Sequence, residues 1–448
     1  MLSYQLAMDL TGANIANVNT PGYSRQRAVF EATGTVDVGS VNAQIGVGVT
    51  SVERIYDQYL DNQVTDQAQL LGYSEAKNDV LSRLEGVFAE REGGVSDSLN
   101  KFWNAWSELA ANPRGQVERE NLLVAGENVT ATFRRLESDL TKVEQDTGEN
   151  IINVVAQVND YLAQLADLNG EITGVADDKG ETNLLRDKRT DVLNKLSGYL
   201  DINYVQDASG AVNIFLANGR PLLMEDTFWQ LAGKSNGANV VNDIVFLERP
   251  DESLKNAMAN GKKGKLAALL EVNKTIVPGY REKLDTLANN LIDEVNLQHA
   301  EGYDGYGNVG GNFFDLATDA RNFRVSTAVA VDVQKIAASA TVNGDGENAR
   351  SINALRDKSI MSGGAATVNN YYASFIAQVG RDAAEARSSA EQQTSIMEQL
   401  YNRRESTSGV SLDEEMMDLM KFQMGYNAAG KLVSTANQIM DILMQLVK

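Results

Sequence analysis

The sequence has no cysteine, a single histidine and five prolines in 448 residues. Without thiols there is no disulfide, no thiolate nucleophile and no cysteine-based zinc or iron–sulfur centre. With His299 alone, a multi-histidine metal site is excluded, and any Ser-His-Asp triad would have to use that one residue. Proline falls well below the usual share of about 5%, which suits long uninterrupted helices. No apolar run approaches the roughly 18 residues of a membrane span, so no membrane insertion is expected. Met1 to Leu10 carries no basic n-region, long apolar run or small-residue cleavage site, so no cleavable secretory signal is read there. Basic charge is scarce too: 40 Lys and Arg against 61 Asp and Glu leave a net charge of −21. Such a surface repels phosphate backbones and anionic lipid, so no nucleic acid is expected as a partner.

What the chain does have is helical periodicity, and enough length for about three domains. Leu412, Leu419, Tyr426, Val433, Met440 and Val447 recur at heptad spacing, and Phe422, Ala429, Ala436 and Leu443 fill the companion seam. A heptad pattern sustained this long is the signature of a helix packing along another helix. Ser411-Leu-Asp-Glu414 reads as a capping box at its start. From Leu412 to the last residue one continuous helix would span about 55 Å. Near the start, Leu6, Leu10, Ala13 and Asn17 share one face of a shorter helix. Other helical stretches are read at 56–92, 98–111, 149–173, 280–298 and 371–404, and Leu185, Val192 and Tyr199 continue the theme.

Between Ile202 and Leu247 the pattern turns to short strands: Ile202–Gln206, Ala211–Ala217, Arg220–Met224, Thr227–Ala232 and Val240–Leu247. Asn218-Gly219 marks a hairpin, since both residues tolerate positive φ. A further strand is expected at Phe323–Val331, and 20–54 reads as extended chain with a few strands interrupted by glycines. The expected fold is mainly α with a β-rich insertion, an α+β long-helix bundle whose two chain ends form a coiled coil. The expected division is a core helix at 1–19, an extended or β linker at 20–55, helical bundle at 56–200, 253–300 and 351–408, β insertion at 201–252, a mixed β and turn segment at 301–350 and a carboxy-terminal core helix at 409–448.

Motifs with chemical potential are few. Asp304-Gly-Tyr-Gly-Asn308 fails as a calcium loop, with Tyr306 at position 3 and Val309 where glycine is needed. Gly261-Lys-Lys-Gly-Lys265 lacks phosphate-loop spacing and reads as a solvated helix entry. Gly46-Val-Gly48 is too short for a dinucleotide fingerprint. His299 is expected at a helix end as a cation against free carbonyls, and Trp103 and Trp106 as core aromatics. Carboxylates are scattered, so no acid/base pair, and hence no glycosidase-like site, can be singled out. Half of the 12 methionines are Met416, Met417, Met420, Met424, Met440 and Met444, side chains that suit either core filling or adaptable surfaces. Gly425, Gly430 and Asn437 make the last helix marginal alone, so its seam is expected to stay uncovered in the isolated chain and to find its match on other subunits. An adhesive surface module oligomerised by its coiled-coil ends is the rival from another class.

Two stretches carry a family resemblance. Ala13-Asn-Ile-Ala-Asn-Val-Asn-Thr-Pro-Gly-Tyr-Ser-Arg-Gln26 resembles the signature of the axial proteins of the bacterial flagellum, the rod, hook and hook-associated proteins. Ser408-Gly-Val-Ser-Leu-Asp-Glu-Glu415, with Met420-Lys-Phe-Gln423, Tyr426-Asn-Ala428 and Thr435-Ala-Asn437, resembles the hook-associated protein 1 family within them. Asn112-Pro113, Leu185-Arg-Asp-Lys-Arg189 and Val295-Asn-Leu-Gln-His-Ala-Glu-Gly-Tyr-Asp304 resemble the same family, and the second junction protein ranks next. The resemblance implies a non-enzymatic subunit without cofactor, exported by the flagellar type III system. It implies a ring between the hook protein and the second hook–filament junction protein, with an export chaperone on the carboxy-terminal helix. Against the family pattern, the helix before Asn14 is short and the central insertion modest. The expected assembly interface is Leu6, Leu10, Ala13, Leu412, Leu419, Phe422, Tyr426, Val433, Ala436, Met440 and Leu443. Of the signature residues Asn14, Asn17, Asn19, Thr20, Pro21, Gly22, Tyr23, Ser24 and Arg25, the two asparagines Asn14 and Asn17 are expected to cap a helix end. Pro21-Gly22 is expected to turn the chain and set the angle between core and outer parts.

Overall fold

The computed structural model describes all residues except 21, 39–40, 90–91, 176–179, 236–240, 248, 254–262, 343 and 447–448. Pro21, Val447, Gly261 and Lys262 therefore lie outside the described residues. The first helix, α1 (Leu2–Ala16), gives way through a turn to β1 (Gln26–Val38) and β2 (Val41–Arg54), which pair antiparallel with a bulge between Val29 and Phe30. The segment read as extended chain with a few strands is thus one long two-stranded ribbon. Gly46 and Gly48 do not break it. Gly46 pairs with Thr33, and the missing Cβ of Gly48 leaves room for the Thr33 methyl.

Two long helices form the spine of the outer body. α2 (Gln58–Phe88) starts at Asp57, whose carboxylate accepts the Tyr59 and Leu60 N–H groups. α10 (Val368–Ser408) runs antiparallel to it, as the contacts Asp61–Arg404, Gln67–Gln393, Ser74–Ser389 and Phe88–Phe375 step in opposite directions. Ala383, Ala386 and Ala390 on its buried face permit the close approach. α3 (Val95–Ala111) buries Leu99, Phe102, Trp103, Trp106 and Leu109, the expected core aromatics among them, against α4 (Gln116–Thr173). α4 is 58 residues long, far longer than the stretch expected at 149–173. Its first half carries the same stripe in Leu122, Ala125, Val129, Phe133, Leu136 and Leu140, diluted by Gly126 and Thr130, which are also buried.

After α5 (Asn183–Tyr199) come two small antiparallel sheets. β3 (Ile202–Gln206), β4 (Val212–Leu216), β5 (Pro221–Met224) and β6 (Thr227–Phe228) form the first; β7 (Leu231–Ser235), β8 (Val241–Phe246) and β9 (Arg249–Ser253) form the second. The strand expected at Thr227–Ala232 is thus divided between two sheets. At the first residue of β7, Leu231 N–H donates to Asn159 Oδ1 on α4 and Asn159 Nδ2 to Leu231 O, both at 2.9 Å. α6 (Lys265–Glu271) runs through a π turn into α7 (Val277–Ala300). One apolar core joins all these elements from Ala76 to Ala386, both sheets included. The fold is mainly α with small β sheets.

Two expectations for the region after α7 are corrected. Phe323–Val331 is not a strand: Val325 makes an isolated bridge with Phe314, and Thr327–Val331 is a short helix, α8, begun by Ser326 accepting the Val329 N–H. His299 is not a cation at a helix end. It is fully buried, and chiefly that burial pushes its imidazole down to about 4. The chain continues through α9 (Glu347–Ala354) to α10, and α11 (Leu412–Leu446) ends it.

Candidate assembly site at the joined chain ends

α1 and α11 pack against each other in antiparallel sense. Asn14 meets Glu415, the Tyr4 ring lies against Gly425, and Met1 reaches Gly430. A Cβ on Gly425 would sit 2.7 Å from Tyr4 Cε1, so the helix-interior glycine is what makes room for the Tyr4 ring. Phe30 of the ribbon wedges in beside them, 6.1 Å from Tyr4 and 5.9 Å from Phe422 between ring centroids.

The expected seam of α11 divides into two parts. Leu419, Phe422 and Tyr426 are half-buried against this packing, which corrects the expectation that the whole seam stays uncovered in the isolated chain. Beyond Gly430 every described side chain is exposed, with Val433 at 51% and Met440 at 66%. Ala436 and Leu443 are exposed with them, and so, at the other end, is Leu412. The six methionines of α11 are all at least half exposed, so none fills the core of this chain. On α1 the face packed inward carries Ala7, Thr11 and Asn14. Leu6 and Ala13 are exposed and Leu10 is half-buried, so the stripe expected to pair with α11 lies largely to one side of that contact.

The signature segment is a joint. Asn14 Oδ1 accepts from Gln26 N–H at 3.0 Å and Tyr23 O–H at 2.8 Å, while Nδ2 donates to Gln26 O and Glu415 Oε2, both at 2.9 Å. Its amide therefore ties three distant segments together and does not cap the local helix end. Asn17 does cap: Nδ2 donates to Ala13 O at 2.9 Å and Oδ1 accepts from Thr20 O–H at 3.1 Å. Asn19 and Thr20 are exposed. Gly22 has φ +81°, a conformation that side-chain-bearing residues rarely adopt, and its carbonyl accepts from Arg404 Nη2 at 3.2 Å. Burial, then the nearby Asp187 and Glu415 carboxylates, push the Tyr23 phenol up to about 12.

Arg25 gathers the carboxylates that open α11. Its guanidinium lies 2.5 Å from Glu414, 2.6 Å from Glu415 and 3.6 Å from Asp418. Glu414, read from sequence as half of a capping box, faces Arg25 instead. Arg25 N–H donates to Ser408 O at 2.9 Å, and its carbonyl accepts from Ile55 N–H at 2.8 Å, so one residue bridges the ribbon, α10 and α11. Ser24 N–H donates to Asp187 of α5 at 3.1 Å, and Arg54 pairs with the same carboxyl at 2.6 Å. Arg404 pairs with Asp61 at 3.1 Å. Burial raises Asp61 and Asp187 above the usual carboxylate range in spite of these arginines. Arg189 is buried too, donating to Asn169 Oδ1 and Gly210 O at 3.1 and 2.6 Å, and desolvation with crowding by Arg186 and Arg54 brings it to about 10.

Sequence reasoning did not find Arg54, Asp61, Asp187, Arg404, Glu414 and Glu415 as members of this joint. The available signal was the Leu185–Arg189 and Ser408–Glu415 likeness, which marks segments without saying what they touch. The buried carboxylates Asp61, Asp187 and Glu415 each face an arginine, which is structural use. Among the described residues no group of three or more His, Asp or Glu side chains comes together to hold a metal ion. No described helix is long and apolar enough to cross a membrane.

Comparison with known proteins agrees at both ends and in the middle. The family described as flagellar hook-associated protein FlgK helical domain matches residues 81–314. The flagella basal body rod protein family matches 4–23, and the flagellar basal body rod FlgEFG protein C-terminal family matches 403–446. The chain is 30% identical to flagellar hook-associated protein 1 of Bacillus subtilis (strain 168), over 98% of this chain and 94% of that one. It is 26% identical to flagellar hook-associated protein 1 of Salmonella typhimurium, over 99% and 97%. The solved flagellar hook junction protein FlgK from Burkholderia pseudomallei shares the fold, with a TM-score of 0.70 at 15% identity, covering 78% of this chain and all of that one. Terminal helices joined through a flagellar signature, and a full-length likeness to these relatives, establish that the chain belongs to the flagellar hook-associated protein 1 family, structural components of the extracellular bacterial flagellum.

Proposed function

We propose that this chain is a structural adaptor at the hook–filament junction, assembling as a ring through its terminal helices. The observation that carries this reading is the uneven cover of α11: its first half packs on α1 and Phe30, and its second half presents Leu432, Val433, Ile439, Met440, Ile442, Leu443 and Met444 to solvent. Burying each such side chain is worth roughly 1.5–3 kcal/mol, a gain that packing against another subunit would supply. Leu6, Leu10 and Ala13 on α1, with Leu412 and Ala436 on α11, extend the proposed contact surface. The partners are further copies of the chain, the hook protein and the second hook–filament junction protein, with an export chaperone on α11 before secretion through the flagellar type III system. The Asn14–Arg25 joint fixes the angle between the core helices and the outer body by anchoring to α5, α10 and α11 at once.

Val433→Asp tests the reading. A carboxylate in a packed seam costs several kcal/mol, while on an exposed face it costs the isolated chain less than about 0.5 kcal/mol. The purified variant should unfold as the parent does, yet fail to restore filament attachment and swimming. Restored swimming would show that the seam is not an assembly contact.

A further inference from the structure

His299 is the one histidine in the chain, and nothing in the assembly reading uses it. Its ring is wholly buried at the end of α7. Nε2 accepts the Ala337 backbone N–H at 2.8 Å, so the proton of the neutral ring sits on Nδ1, which donates to Gly311 O at 2.6 Å. Both partners belong to residues 302–342. That segment drives Phe313 against Trp106 and Phe102, with ring centroids 5.3 and 5.8 Å apart, and sets Phe314 edge to face with Phe323 at 4.8 Å. Yet between Gly302 and Val342 the described β contacts are isolated bridges alone: Tyr303 with Val309 and Ser339, and Phe314 with Val325. Its other backbone hydrogen bonds are those of turns and short helices, and side chains from the helical body add to the hold. Arg119 of α4 donates to the Ile336, Val333 and Gln334 carbonyls at 2.8, 3.2 and 3.3 Å, and Asn296 exchanges two hydrogen bonds of 2.9 Å with the Phe314 backbone.

We infer that residues 302–342 form a strap over the aromatic core that acid releases, with His299 as its latch. A proton arriving at Nε2 removes the acceptor of the Ala337 N–H and sets two donors facing each other across 2.8 Å. It also creates a second buried cation near Arg119, whose own hydrogen bonds go to carbonyls, Pro113 O included. The charged groups acting on the ring are Arg119 from α4 and Asp304 from the strap itself, while Trp106 of α3 and Phe313 present uncharged rings. Asp304 acts on Arg119 as well, together with Asp332. Burial first, with Arg119 adding to it, holds the folded imidazole at about 4 against an ordinary 6.5. The folded value lies below the unfolded one, so the unfolded or opened strap takes the proton first. The latch is therefore at full strength above about pH 6.5, and it weakens as pH falls toward 4, by up to about tenfold per unit in the closed-to-open ratio.

The test uses the full chain with its histidine labelled, since one imidazole gives one NMR signal. Pulses of pepsin, with rates normalised to an unstructured peptide at each pH, report opening of 302–342 by the positions of the cuts. The ring should titrate well below its ordinary value, and cuts inside the strap should rise with the same midpoint while α2 and α10 stay intact. His299→Gln keeps a donor and an acceptor but does not titrate, so its strap should open at lower pH than the parent's. A ring that titrates with no rise in strap cleavage would overturn the inference. So would a Gln variant opening at the parent's pH, because Asp304 and Asp332 would then account for the release. Should the Gln variant fail to fold, the parent alone decides: coincident midpoints uphold the latch and separated midpoints reject it.

Discussion

Replacing Asn14 by alanine should free α1 from α11 and the ribbon while leaving the outer body folded. The side chain makes four hydrogen bonds, to Gln26 N–H, Gln26 O, Tyr23 O–H and the buried Glu415 carboxylate. A neutral hydrogen bond is worth about 1 kcal/mol net and one to a charged group about 1.5–3 kcal/mol, and buried partners left bare cost more than exposed ones. Allowing water to reach the half-buried Gln26, the loss should be about 3 kcal/mol in the docking of α1. Asn17 of the same signature provides the control, because its amide bonds only Ala13 O and Thr20 at an exposed helix end. Asn17→Ala should cost no more than the loss of an exposed cap, about 1 kcal/mol. Hydrogen exchange of α1 amides reads local opening directly, and about 3 kcal/mol corresponds to exchange faster on the order of a hundredfold. Asn14→Asp, which keeps the shape but cannot donate to Gln26 O or Glu415, should be at least as disruptive as alanine. Equal exchange in the Asn14 and Asn17 alanine variants would refute the assignment of Asn14 as the hub of the joint.

Arg25→Met should strand the buried Glu415, and breaking a buried pair from one side typically costs about 3–5 kcal/mol. Proteolysis between α10 and α11 should then accelerate at least about tenfold, and an unchanged rate would mean that Arg25 does not hold the start of α11. Gly72→Ala places a Cβ 1.9 Å from the Gly198 carbonyl oxygen, so α2 and α5 must separate. The cost should be at least about 3 kcal/mol, a fall in Tm of roughly 6–12 °C. Gly12→Ala, with nothing within 4 Å of the new methyl, should leave Tm unchanged or slightly raised.

Periodicity determined much of this protein. The heptads of α11, the stripe of α3 and the alternation of β4 are statements about which residues share a face, and a face is a local property of backbone geometry. The absence of thiols and of histidine clusters, and the likeness of the two chain ends to flagellar axial proteins, likewise needed only the order of residues. What tertiary structure decided is which face meets what. The apolar seam of α11 runs along its length, but the side chains up to Gly430, where Met1 lies beside it, are partly covered and those beyond are exposed. The period that revealed Leu419 and Val433 as equivalent could not tell the covered one from the exposed one. The same holds for Leu6, aligned on one side of α1 while packing chose the side of Ala7 and Thr11. Asn14 and Asn17 look alike in sequence, and one is a hub and the other a cap because Glu415 and Gln26 arrive beside the first only. His299 changed from helix-end cation to buried neutral ring because Gly311 and Ala337 close over it. Hydrogen-bond partners distant in sequence, and the burial that sets a charge, belong to the assembled chain and leave no periodic trace.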